Sequence, residues 1–187
     1  MAANRVRIIG GEWRSRWIKF PDIEGLRPTP DRVRETVFNW LGQDLTGLTC
    51  LDLFAGSGAF GFEAASRGAR RVVLVERNRR ITQSLEDNTQ LLCGGRGPLS
   101  VVCADALEFL QRDLRTYDVA FVDPPYATWE STADAAALLD QLRPRLKPGA
   151  RVYLEAAQPL RLPPDWQTIK NNRAGAVHYQ LAQPIAQ

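Results

Sequence analysis

From Thr49 onward, short apolar runs alternate with longer stretches whose apolar residues recur every three or four positions. The short runs predict strands over Cys50–Phe54, Arg71–Glu76, Leu99–Cys103, Tyr117–Val122 and Arg151–Glu155, with a weaker pair near Thr168–Lys170 and Ala176–Leu181. The amphipathic stretches predict helices over Ala59–Arg67, Arg79–Leu92, Ala106–Leu114 and Ala133–Leu146. This β-α rhythm predicts an α/β domain with a mostly parallel sheet covered on both faces. Ligands of such sheets bind beyond the carboxyl ends of the strands.

Upstream of Thr49 the pattern changes. Residues 5–20 read as two short strands around Gly10-Gly11, a hairpin arm. A helix should then start with Thr29 as N-cap and Pro30 in its first turn, and end at Gly42. Val33, Val37, Trp40 and Leu41 form its apolar stripe. Arg34 falls inside that stripe, either snorkelling at its edge or aimed into a site. The chain thus divides into an arm over residues 1–28 and a domain over residues 29–187.

Composition narrows the class. With 187 residues, 44% apolar and 24% charged, the chain suits one soluble domain with a full core. Net charge is only +3, but the stretch Arg5–Arg34 holds eight basic residues against four acidic ones, as suits a polyanion. No apolar run approaches the roughly 20 residues that span a bilayer, and no stretch reads as a signal peptide, so a cytoplasmic location is expected. Cys50, Cys93 and Cys103 show no metal-ligand spacing, so no metal is expected. Cys50 and Cys103 read as small core residues.

Two motifs carry chemistry. Asp52-Leu-Phe-Ala-Gly-Ser-Gly58 follows the first core strand, and its glycines allow close backbone approach to a nucleoside. Gly56, Gly58 and Gly61 also satisfy a dinucleotide pattern, with Glu76 twenty residues on to take ribose hydroxyls. Asp52 favours a cofactor with a cationic amino end over a pyrophosphate. Asp105-Ala106 follows the third strand, where an adenine edge needs an acceptor and a small neighbour; with Glu108, Asp105 also reads as a helix capping box. Phe54 and Arg77 complete the expected cofactor wall.

The second motif, Asp123-Pro-Pro-Tyr126, decides the reaction class. Its two prolines fix φ and remove two backbone donors. The Asp123 carboxylate and Pro124 carbonyl can then accept both hydrogens of an exocyclic amine while Tyr126 stacks on the attached ring, with Pro125 holding the turn. At a reference pKa of about 3.9 the carboxylate is too weak to deprotonate the amine beforehand. It suits stabilisation of positive charge as nitrogen attacks a sulfonium methyl. The expected cofactor is S-adenosylmethionine. The lone histidine, His178, reads as structural.

With these residues in place, the chain resembles the RsmD-type family of 16S rRNA guanine-N2 methyltransferases nearly end to end. The likeness is carried by Ile9-Gly-Gly-Glu-Trp-Arg14, Leu26-Arg-Pro-Thr29, Arg32-Val-Arg-Glu35, both core motifs, and Ala174-Gly175 with Tyr179. The resemblance implies a Rossmann-like, seven-stranded class I methyltransferase sheet with an N-terminal hairpin and helix extension. It implies as target the small-subunit guanine conventionally numbered 966, within a partly assembled subunit, and a monomeric enzyme. It also gives Arg5, Arg7, Trp13, Arg14, Arg16, Arg27, Thr29 and Arg34 to the RNA. The loop Ala127–Thr132 is not basic, which leaves RNA contact to the arm. Rival readings are a DNA amino-methyltransferase, a catalytically silent RNA-binding assembly factor, and a nucleotide-dependent oxidoreductase.

Overall fold

The computed structural model describes residues 4–125 and 132–185. Nine strands and five helices follow in order: β1 Asn4–Arg7, β2 Trp17–Phe20, α1 Asp31–Leu41, β3 Thr49–Asp52, α2 Ala59–Ser66, β4 Arg71–Glu76, α3 Arg79–Cys93, β5 Leu99–Cys103, α4 Ala106–Arg112, β6 Tyr117–Val122, α5 Thr132–Leu142, β7 Leu146–Ala156, β8 Trp166–Ala174 and β9 Val177–Pro184. Strands β3–β9 form a seven-stranded sheet in the order β5-β4-β3-β6-β7-β9-β8. The pairings from β5 through β7 are parallel, and β9 is antiparallel to both its neighbours. Strand order reverses between β4 and β6, on either side of β3, so the crevice of a doubly wound sheet opens above Asp52.

The expected sheet is present, with longer C-terminal strands than the periodicity suggested: β8 and β9 span nine and eight residues. Their pattern was weak because β8 is an edge strand whose residues are mostly exposed or half-buried. The last predicted helix is shorter, with a 3-10 turn over Arg143–Arg145 where Pro144 breaks it. Cys50 is buried as expected, whereas Cys103 is exposed, because β5 is the other edge and Cys103 ends it.

Each face of the sheet carries its own core. One cluster packs α4 and α5 against residues such as Leu51, Val73, Ala120 and Val152. The other packs the hairpin, α1 and α2 against Cys50, Val72, Phe121 and Tyr153. Its centre is aromatic: Phe60 lies 4.9 Å from Phe121 and 4.6 Å from Tyr153, centroid to centroid.

The hairpin β1-β2 belongs to that second core. Val6, Ile8, Trp13, Ile18 and Phe20 are all buried. Gly11 has φ 73°, and a Cβ there would lie 1.8 Å from the Ser66 carbonyl oxygen, so the Gly-Gly turn is what lets the loop close on α2. The Glu12 N–H then donates to that carbonyl at 2.7 Å, and the Trp13 N–H to Ser66 Oγ at 2.9 Å. On the other side, Asn88 of α3 clasps Lys19 through both its backbone groups.

Candidate active site

Asp52 ends β3 and accepts the Gly61 N–H on Oδ2 at 2.9 Å, drawing the first turn of α2 onto the strand end. Gly58 caps that helix at φ 78°, and a Cβ there would lie 2.5 Å from the Phe62 ring, so no other residue fits. Glu76 ends β4 and joins two loops: Oε2 accepts the Gly56 N–H at 3.1 Å, and Oε1 the Asn78 N–H at 2.8 Å. Asp105 follows β5, is exposed, and accepts the Leu107 and Glu108 N–H groups on one oxygen, as the capping-box reading expects. Phe54 is half-buried, Ala106 buried and Arg77 exposed around the same strand ends.

Three carboxylates therefore stand in a row above β3, β4 and β5. Asp52 is only 4% exposed. Burial, with the charge of Glu76 added, pushes its pKa up to about 7 despite the Gly61 hydrogen bond. A cationic ligand group above Asp52 removes that penalty. The row brings together Asp52, Glu76 and Asp105, three of the residues expected to hold S-adenosylmethionine.

The second motif leaves β6 at Val122, which pairs in register with Leu154. Asp123 and Glu155 consequently stand side by side on adjacent parallel strands, on the face that carries Phe121 and Tyr153. Burial, then Glu155, then Asp52 hold the Asp123 carboxyl well above the usual range, while a hydrogen bond from the Thr29 hydroxyl lowers it. Glu155 is likewise raised by burial, although the Tyr153 hydroxyl donates to it at 2.6 Å. Pro124 is buried and Pro125 exposed. Neither has an N–H, so these two positions offer carbonyl acceptors and no backbone donor. Tyr126 and the loop after it lie outside the described residues.

Several residues assigned to RNA serve other ends. Arg34 is fully buried, with donors to Thr29 O, Glu63, Arg7 O and Asp31, so no phosphate reaches it. Trp13 is buried beneath the hairpin loop. Thr29 is buried and binds Asp123; Pro30 is the N-cap of α1 and carries no side-chain cap. Arg16 is exposed but donates to the carbonyls of Leu91 and Leu92 at the end of α3. Arg5, Arg7, Arg14 and Arg27 are exposed.

Two acids escaped the sequence reading. Glu63 is fully buried and accepts from the Ile9 and Gly10 N–H groups, Arg34 and Arg67. Its signal was available: a lone charge in Ala-Phe-Gly-Phe-Glu-Ala-Ala needs buried partners. Glu155 had a weaker one, a carboxylate at the end of an apolar strand.

The family described as "Conserved hypothetical protein 95" matches residues 6–183. The chain is 40% identical over 186 residues to "Ribosomal RNA small subunit methyltransferase D" of Haemophilus influenzae, covering 97% of this chain and 95% of that one. The Escherichia coli K12 protein of the same name is 39% identical, covering 99% and 93%. A solved structure of an Escherichia coli protein, "Putative methyltransferase yhhF", superimposes with a TM-score of 0.85 at 40% identity, covering 98% of this chain and all of that one.

Proposed function

The chain belongs to the conserved hypothetical protein 95 family, that of the small-subunit ribosomal RNA methyltransferase D proteins, and from that premise we propose that it transfers a methyl group from S-adenosylmethionine to the exocyclic N2 of a guanine in 16S rRNA. The observation that carries the reaction type is the acceptor pair, Asp123 and the Pro124 carbonyl, beside a glycine loop ringed by carboxylates. We further propose that the guanine is that numbered 966, that the substrate is the small subunit or its assembly intermediate, and that the enzyme is a cytoplasmic monomer.

When bound, S-adenosylmethionine supplies an electrophilic methyl on a positively charged sulfur. Asp52 and Glu76 would hold that group, and each is itself fixed by a backbone N–H, of Gly61 in the first turn of α2 and of Gly56 in the loop. Asp123 and the Pro124 carbonyl accept the two amine hydrogens and orient the nitrogen lone pair towards the methyl. Orientation of this kind contributes up to roughly 7–11 kcal/mol of barrier reduction. Positive charge developing on the nitrogen would fall against Asp123. The raised pKa of this carboxyl makes it a better acceptor of the departing N2 proton than an ordinary aspartate. Thr29 holds the carboxylate from the opposite side.

The test supplies methyl-labelled S-adenosylmethionine to small subunits, free 16S rRNA and duplex DNA in parallel, with nucleoside mass spectrometry. N2-methylguanosine in small-subunit RNA is expected; label in DNA, or in no acceptor, overturns the proposal.

Cofactor affinity should depend on pH. A bound cation favours ionised Asp52, so binding releases a proton below its free-state pKa of about 7. The dissociation constant is expected to fall by about fivefold as pH rises from 6 to 7, by about a further twofold to pH 8, and to level off above that. Calorimetry in buffers of different ionisation enthalpy would show the released proton. A constant affinity from pH 5.5 to 8 would remove Asp52 from the cation site.

A further inference from the structure

The outer face of the β1-β2 hairpin is composed differently from every other apolar surface described. Val6, Ile18 and Phe20 point into the core, which leaves Arg5, Arg7, Trp17 and Lys19 on the solvent side. In the antiparallel register Arg5 lies across from Lys19 and Arg7 across from Trp17. Trp17 is 45% exposed, and the Arg5 guanidinium sits 4.5 Å from its ring centroid. Asp31 lies 3.8 Å from Arg7, and Asp22 is bonded to Asn4.

A single exposed aromatic is ordinary on a protein surface. An indole framed by three cations on a fixed strand pair is a different arrangement. Trp17 gains nothing from core burial there, and its ring is held on its diagonal neighbour by a cation–π contact. Flat π surface flanked by positive charge suits an unpaired nucleotide: the base stacks on the ring while its phosphates meet the cations. An acidic peptide would use the cations but leave the ring without a planar partner.

We infer that Trp17, with Arg5, Arg7 and Lys19, forms a stacking site for one unpaired base of the RNA, separate from the base that enters the Asp123 site. This rests on the proposed RNA substrate and adds a non-ionic contact to the phosphate contacts expected of the arm. The hairpin is rigid through the bonds from Ser66 and Asn88. The site therefore sits at a fixed position relative to Asp123, acting as a ruler between a stacked nucleotide and the methylated one.

The experiment measures binding of fluorescently labelled oligoadenylate of ten nucleotides by anisotropy, over a salt series, to the full chain. Trp17→Ala is expected to weaken binding about 5- to 100-fold with an unchanged salt slope, and Trp17→Phe to recover most of it. Arg5→Gln with Lys19→Gln should instead flatten the slope of log affinity against log salt by about 1.4. Binding to duplex RNA should be indifferent to Trp17→Ala. If Trp17→Ala binds oligoadenylate like the parent, or loses affinity only through the salt slope, the stacking site does not exist. Methylation of small subunits by the parent protein is measured alongside. Its absence with intact stacking defeats the methyltransferase reading alone, and its presence with no Trp17 effect defeats this one alone.

Discussion

Asp123→Ala is expected to lower the rate of methyl transfer by at least about 100- to 1,000-fold, the range seen when one preorganised electrostatic partner of a transition state is removed. S-adenosylmethionine affinity should stay within a few-fold, because Asp52 and Glu76 hold the loop without help from Asp123. Single-turnover kinetics on small subunits separates the two effects. Turnover within fivefold of the parent would show that the amine is held by something else. A companion outcome concerns stability. Burial, with the charges of Glu155 and Asp52 added, holds the folded-state pKa of Asp123 above its unfolded value. A carboxyl shifted that way stabilises the fold only while protonated, and its ionisation subtracts stability as pH rises towards the folded pKa. Asp123→Asn removes the charge while keeping the shape. It should melt higher than the parent at pH 7.5, with the difference vanishing below pH 4. A lower melting temperature at pH 7.5 would contradict the electrostatic account of the site.

Glu63→Ala should bring the largest loss of stability of any single substitution away from the crevice. Both Glu63 and Arg34 are fully buried, with Nη1 and Oε2 3.2 Å apart, and Arg67 adds a second ion pair at 2.9 Å. Removing the carboxylate takes away the fully buried counter-charge of Arg34, leaving it only the half-exposed Asp31, and leaves the Ile9 and Gly10 N–H groups without their acceptor. Breaking one side of a buried pair typically costs about 3–5 kcal/mol. For a chain of this size that is a fall in melting temperature of roughly 6–20 °C. Urea denaturation read by tryptophan fluorescence gives the number directly. A loss below about 1 kcal/mol would mean that water reaches Arg34 and solvates it.

The Arg34–Glu63 pair also shows what was and was not legible in the sequence. The parallel strands from β3 to β6 and both chemical motifs could be read because each is local: an apolar run followed by a loop with special backbone needs. The helical arc correctly put Arg34 on the buried face of α1. It could not say what met it there, since Glu63 lies twenty-nine residues away on another helix. The same limit hid that Arg34 is wholly, and Arg16 partly, engaged within the protein. The resemblance rested in part on residues 26–35. Their distinctiveness comes partly from architecture, with Thr29 bracing Asp123 and Arg34 binding the hairpin backbone. Glu155 was overlooked because its neighbour Asp123 is assigned by strand register, which single-sequence periodicity does not supply.

The sheet order carries a consequence for how the chain is assembled during synthesis. Translation produces β8 before β9, yet β9 lies between β7 and β8 and pairs with both. Until β9 leaves the ribosome, β8 has no neighbour in the sheet and β7 has an open edge beside Tyr153 and Glu155. A released chain that ended after Ala174 would thus display a nearly complete crevice next to unpaired β backbone, a species open to chaperones and to edge pairing with other chains.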